Sequence, residues 1–219
     1  MFFKNNVLNK IIVALSGLFL AIFLIIHLIL NFLTVLDETG QLYNNACNFM
    51  ESNILIKIIE PILILGIIIH ILYTTYLTYK SKKVRDVSYK VSIKTKVSWA
   101  SQNMWTLGFI ILGFLILHFF NYSYYFKFTD IFEKGEITQY ELVVSLFKNW
   151  IYVVIYVLSF IALGFHLSHA ISSGLQTISL SNKRLEKFLK VLSIVYSIII
   201  SSGFGFIAIY HYIKHLINS

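Results

Sequence analysis

The segment 149–182 reads NWIYVVIYVLSFIALGFHLSHAISSGLQTISLSN, 34 residues without an Asp, Glu, Lys or Arg. As a helix it would rise ~50 Å, and ~20 apolar residues already cross the hydrocarbon of a bilayer. Outward from it lie four more uncharged runs, 11–36, 61–79, 97–126 and 191–213. Each reaches or approaches spanning length. The 219-residue chain is 58% apolar and 13% charged, where a soluble domain carries about 25% charged residues. An all-α integral membrane protein follows, a five-transmembrane-helix bundle in one domain over 1–219. Its helices are expected at about 8–36, 53–79, 97–126, 146–179 and 188–214.

Composition removes several functions. Cys47 is the sole cysteine, so an intrachain disulfide, an iron–sulfur cluster, covalent Cys-x-x-Cys-His haem and a Cys-based zinc site are all excluded. There is no Gly-rich nucleotide loop. A net charge of +8 could point to nucleic acid, but the basic residues flank apolar runs and serve membrane orientation instead. Lys4 and Lys10 precede the first run as in a signal peptide. That run is too long for a signal h-region and lacks a small-residue cleavage site, so it reads as a retained helix.

Cytoplasmic loops retain Lys and Arg. With the N-terminus inside, the inner segments hold 13 of the 18 basic residues, seven of them between Lys80 and Lys96. Eight of the ten acids, including Asp37, Glu38, Glu51 and Glu60, then fall outside. The sequence therefore predicts a cytoplasmic N-terminus and an outer C-terminus in a multi-pass protein of the bacterial cytoplasmic membrane, in contact with lipid.

Five of the seven histidines, His27, His70, His118, His166 and His169, lie well inside apolar runs. An ionisable group at membrane depth is costly and normally faces a partner, an ion or a cofactor. Counting 1.5 Å per residue from the inner end of each run, His27 lies ~24 Å and His118 ~21 Å up, whereas His70 lies ~14 Å and His166 ~8 Å up. Two pairs at two depths result, an outer His27/His118 and an inner His70/His166. Structural zinc takes four ligands in one shell and catalytic zinc three, whereas a porphyrin already supplies four nitrogens and needs two axial ligands. The pattern suits two haem b groups, with haem iron held by His27, His70, His118 and His166. Gly66, Gly113 and Gly164 beside these histidines offer room for a macrocycle or for close helix packing. His169, one turn from His166, either replaces it as ligand or contacts a haem propionate together with Ser172, Ser173 or Arg85. His211 and His215 read as solvated interfacial residues. Trp99, Trp105, Tyr122, Tyr124, Tyr125 and Trp150 read as lipid-facing or belt aromatics.

The segments ALSGLFLAIFLIIHL (14–28), SWASQNMWTLGFIILGFLILHFF (98–120) and ALGFHLSHAISSGLQTISL (162–180), with a histidine on the second helix between the first two, resemble the di-haem cytochrome b558-type membrane anchor of succinate:quinone oxidoreductases. The resemblance covers about residues 7 to 212. It implies docking of an iron–sulfur subunit, and beyond it a flavoprotein, on the cytoplasmic side. It also implies electron passage from succinate dehydrogenase or fumarate reductase through the inner and outer haems to a quinone, menaquinone in this reading, near the outer face. Quinone reduction consumes protons, so a carboxylate is expected at the outer end. Glu60 is the first candidate and Glu51 the second, although both could simply be solvated acids at helix starts. A cytochrome b subunit of a hydrogenase or formate dehydrogenase would share the histidine pairs in a different register. A metal or proton transporter would add intramembrane acids, and the five cores contain none.

Overall fold

The computed structural model describes residues 6–85, 98–178 and 183–219, with the side chains of 6, 81–85 and 183 outside that description. The described residues form helices and connections, in the order α1 (Asn6–Leu36), α2 (Gln41–Ser52), α3 (Ile54–Arg85), α4 (Trp99–Gln102), α5 (Met104–His118), a π turn (Phe119–Ser123), α6 (Tyr124–Phe128), α7 (Gln139–Leu146), α8 (Trp150–Ile178) and α9 (Lys183–Asn218). Five stretches are long and apolar enough to cross a membrane: Val7–Leu36, Ile54–Lys80, Met104–Phe128, Trp150–Ile178 and Arg184–Asn218.

Short polar side chains set the boundaries. Asp37 accepts from the backbone N–H of Thr39 and of Leu42, which ends α1 and starts α2 around Gly40, a residue with φ of 75°. A Cβ at Gly40 would also run into the Tyr140 ring, so glycine is required twice over. Asn53 accepts from Leu55 N–H at 2.9 Å and opens α3. Asn149 does the same for α8 through Ile151 N–H. Thr138 and Glu141 form a reciprocal capping box on α7.

Three differences from the sequence reading stand out. The third predicted helix, 97–126, is not continuous: Ser98 caps a single turn, Asn103 leaves helical geometry, and a π turn follows His118. The fourth begins at Trp150 rather than 146, because residues 139–146 form a separate helix. Two short helices, α2 and α7, replace loops. They lie across one end of the bundle and are tied together where Asn44 accepts from Tyr140 N–H at 2.9 Å and Gln139 Nε2 donates to Asn48.

The centre of the bundle is α1, α8 and α9 packed on one another. Small residues permit the approach: Gly164 abuts Ser201, whose hydroxyl donates to Phe160 O, and Ser193 donates to Ser168 O across the same seam. Tyr156, Phe160, Ile200, Phe204 and Ala208 fill the core toward the α2–α7 end. α3 packs along α1 and α5 along α8, on opposite flanks of the centre. Helix packing of comparable extent does not join α1 to α5 or α3 to α8. Those two seams are where the histidines lie.

Candidate functional site

His27 projects from α1 and His118 ends α5, and their imidazole centroids are 5.8 Å apart at 89°. His70 projects from α3 and His166 from α8, with centroids 6.5 Å apart at 74°. The structure thus brings together the two pairs expected from depth, each across a seam between helices that are not extensively packed on one another. Two helices give their separation independently. On α1, Gly17 touches the His70 ring, and His27 is ten residues further on, ~15 Å along the axis. On α8, the Tyr156 ring is 6.3 Å from His118, and His166 is again ten residues, ~15 Å, beyond.

Two metal–nitrogen bonds of about 2 Å, plus ~1 Å from each nitrogen to its ring centre, put the centroids of an axial pair about 6 Å apart. Both observed spacings fall close to that. Among the described residues no three His, Cys, Asp or Glu side chains converge as a metal shell would, so a metal held by either pair would need further ligands from outside these side chains. The donors are also in a suitable state. Ser16 Oγ donates to Val13 O and lies 3.2 Å from His70 Nδ1. The Val13 backbone is a second hydrogen-bond partner of the His70 ring, so α1 offers acceptors for an Nδ1–H, a tautomer that would leave the Nε2 lone pair free to ligate. His118 Nδ1 and His166 Nδ1 are buried without a partner, a cost that the protein atoms alone do not offset.

The surroundings of the pairs differ. His27 stacks on Phe23 at 5.2 Å and faces Phe204 at 5.5 Å, while His118 is flanked by Phe114 at 5.6 Å and Tyr122 at 5.1 Å. Asn31 Nδ2 donates to His27 O and sits 3.5 Å from both of that ring's nitrogens. The His70 pair has Ser16 and Gly17 beside it, and a Cβ on Gly17 would come within 3.2 Å of the imidazole.

Other expected residues take different places. His169 is half-buried one turn from His166, but the ring that faces His70 is His166. Ser172 is buried and accepts from Gln176 Nε2, and Ser173 is exposed. The Arg85 side chain lies outside the described residues. Gly66 and Gly164 serve helix packing, against Phe19 and Ser201, rather than opening space; Gly113 alone has open space at its Cβ position. Glu60 is bound to Lys127 at 2.7 Å, an exposed ion pair that ties α3 to α6. Glu51 sits exposed on α2.

Two expectations are corrected. His211 is not solvated: it is 1% exposed, and its Nε2 lies 2.9 Å from Thr34 Oγ1. Thr34 donates its own hydrogen to Asn31 O, so His211 Nε2–H is the donor of that pair. The i, i+4, i+7 spacing of His27, Asn31 and Thr34 on one face of α1 was the available signal for a polar partner on a neighbouring helix. Tyr122 is not lipid-facing either. The π turn carries it inward to 9% exposure against His118 and Tyr156.

Sequence reasoning also left Ser16, Asn121 and Tyr156 without roles. Asn121 Nδ2 donates to Tyr156 OH at 3.0 Å. Comparison of the chain with family models, with curated proteins and with solved structures gave no match.

Proposed function

We propose that this chain is the membrane-anchor cytochrome b subunit of a succinate dehydrogenase or fumarate reductase, passing electrons to menaquinone. The observation that carries the reading is the pair of opposed imidazole pairs, 5.8 and 6.5 Å between centroids and ~15 Å apart along the bundle. The resemblance of segments 14–28, 98–120 and 162–180 supplies the flavoprotein and iron–sulfur partners. The basic segments supply the orientation, with the α2–α7 end outside.

Haem b bound at each level supplies an iron that cycles by one electron without covalent attachment to the chain. His70 and His166 would hold the inner group and His27 and His118 the outer one. Ser16 fixes the His70 tautomer through Nδ1, which leaves Nε2 basic. Phe23, Phe114 and Phe204 wall the outer level against water. Four histidines from four helices would hold the two groups at two depths of the bundle, where they would supply one-electron carriers between its two ends.

The test is a reduced-minus-oxidised absorbance spectrum of the purified chain with its partners, with and without succinate, joined to a pyridine haemochrome assay. About two non-covalent haems per chain are expected, reducible by succinate and extracted by acid–acetone. A chain purified without haem, or carrying zinc instead, overturns the assignment. Haem that formate or hydrogen reduces and succinate does not would move the subunit to another respiratory oxidoreductase.

A further inference from the structure

His211 on α9 and Thr34 on α1 are each 1% exposed. A buried polar pair gains little over an apolar pair of the same shape, so what it adds between apolar helices is direction. Thr34 Oγ1 gives its hydrogen to Asn31 O at 2.7 Å, and His211 Nε2 stands 2.9 Å from the same oxygen. His211 Nδ1 is buried without a partner. A buried nitrogen left alone is less costly as a lone pair than as an N–H, which again puts the proton on Nε2. A helical threonine has two χ1 rotamers open to it, because its hydroxyl can bond back to the i−3 or the i−4 carbonyl. The N–H from α9 selects the i−3 bond.

One turn below Thr34, Asn31 Nδ2 donates to His27 O at 2.8 Å and lies 3.5 Å from both nitrogens of the His27 ring. An amide equidistant from the two nitrogens lies across the ring and takes neither lone pair. Phe23, one turn on the other side of His27, stacks on it at 21°. The imidazole is thus held between the residues four before and four after it, and the later one belongs to a chain of polar contacts that begins on α9.

We propose that His211 is a positioning residue for the His27 imidazole, acting through Thr34 and Asn31 to fix the plane that this ring presents to His118. The inference rests on the haem reading above for its consequence, the angle between two axial ring planes. The rings stand at 89°. His118 is flanked by Phe114 and Tyr122 instead, so loss of the α9 contact turns one plane and leaves the other. The remaining neighbours of His211 are engaged otherwise: Tyr140 and Tyr210 meet it ring to ring, and Lys214 is paired with Glu38 at 3.1 Å.

The test compares His211→Leu, Thr34→Val, Asn31→Leu and His211→Gln in the complete purified complex. Glutamine offers an amide N–H near the place of the imidazole Nε2, so His211→Gln should behave as wild type. In the other three, the oxidised haem of the His27/His118 level should change its electron paramagnetic g anisotropy, which follows the angle between axial ring planes. It should also pass to a competing apo-globin about tenfold faster, with the His70/His166 haem unchanged. Thr34→Val keeps the shape of the side chain and decides the matter where His211→Leu does not assemble. Equal changes at both levels, no change at either, or a His211→Gln variant that matches His211→Leu overturns the positioning role. A haem-independent readout is the solid-state NMR spectrum of the chain in lipid vesicles, labelled at the histidine nitrogens. His211 should carry its hydrogen on Nε2, and the His27 ring should gain motion in the same three variants, with the His211 signal intact in Asn31→Leu. A chain without haem removes the function proposed above and leaves this spectrum to decide the inference. Succinate-reducible haem with a His27 ring unmoved in every variant removes the inference and leaves the function.

Discussion

The two histidine levels use the same chemistry in different surroundings. At the His70/His166 level the imidazole of α3 is oriented by a hydrogen bond from its Nδ1 to Ser16, and a glycine lets α1 approach it. At the His27/His118 level no hydroxyl among the described residues accepts from a ring nitrogen. Phe23, Phe114, Phe204, Tyr122 and Tyr156 fix the ring planes by contact. The reason lies in what each neighbouring helix does. α3 packs on α1 and contributes none of its described side chains to the buried core, so its histidine needs a specific bond to stay in place. α5 ends in the aromatic core shared with α8 and α9, where packing already removes rotamer freedom. Orientation of a histidine ring can therefore come from a hydrogen bond or from crowding, and one bundle contains both.

The strongest way to break this comparison is to remove a ligand from each level. His166→Leu is expected to abolish the haem at the Ser16 level, and with it succinate-driven quinone reduction, while dyes that accept from the soluble subunits are still reduced. His118→Leu should remove the other haem and leave the first reducible by succinate. Low-temperature spectra distinguish the two. If both variants lost the same haem, the pairing by level would be wrong, and a full Ser16-level haem in His166→Leu would transfer the ligand role to His169.

Which level faces the cytoplasm is the next point to sharpen, and the expected contrast is all-or-none. Cys47 is buried, and burial pushes its thiol up to about 11, so at neutral pH it stays almost entirely protonated and unreactive. Single cysteines introduced as Ser88→Cys and Lys134→Cys can therefore be read against a silent background. A membrane-impermeant maleimide should reach Cys at 88 only from the cytoplasmic side and Cys at 134 only from the outside. The opposite result would place the soluble partners next to His27/His118 and invert the electron path.

Ser16→Ala addresses the hydrogen bond itself. Loss of a partner to a ligating histidine typically costs 10–100-fold in affinity or activity. The expected outcome is a haem at the His70/His166 level that is lost about that much more readily to a competing apo-globin, with the other level unchanged. Phe204→Ala should do the converse, loosening the aromatic wall of His27. Equal effects of both variants on both levels would mean that the surroundings are not specific to a level.

Much of this was legible in the chain because the membrane makes period and depth informative. Thirty-four uncharged residues at 149–182 leave little choice but a span, and counting residues from charged ends grouped the four histidines as the structure does by ring proximity. What escaped reading depended on contacts between helices. The π turn at Phe119–Ser123 has no glycine or proline to announce it, so Tyr122 read as a lipid-facing or belt aromatic and Asn121 was given no role. His211 lies near a chain end and resembles a solvated residue until Thr34, 177 positions away in sequence, is set beside it. α2 and α7 were missed because each is a short polar helix stabilised by the other.

The α7 cap gives the smallest effect, and it lies beside the more crowded level. Thr138 Oγ1 accepts from Glu141 N–H, and the Glu141 carboxylate in turn accepts from Thr138 N–H at 2.7 Å and from its hydroxyl. The backbone N–H of Thr138 is the main reason that the Glu141 carboxyl is held below the ordinary carboxylate range, with the hydroxyl second. A carboxyl depressed in the folded state stabilises where it is ionised in both states, above about pH 5 for a glutamate with an unfolded value near 4.3. That contribution disappears as pH falls through the folded value. Thr138→Ala should therefore weaken α7 by about 1 kcal/mol near neutral pH, seen as faster amide exchange over 139–146 after correction for intrinsic rates. The gap between wild type and variant should narrow on acidification below pH 4. α7 also holds Tyr140, Leu142, Ser145 and Leu146 against the neighbouring elements, so a cap that mattered would loosen the α2–α7 end while leaving the His70/His166 level untouched. A gap that stayed constant from pH 7 to pH 3 would assign the cap's contribution to the bond from Glu141 N–H to Thr138 Oγ1 instead of to the carboxylate, and the absence of any gap would assign α7 stability to its packing on α2 and the π turn.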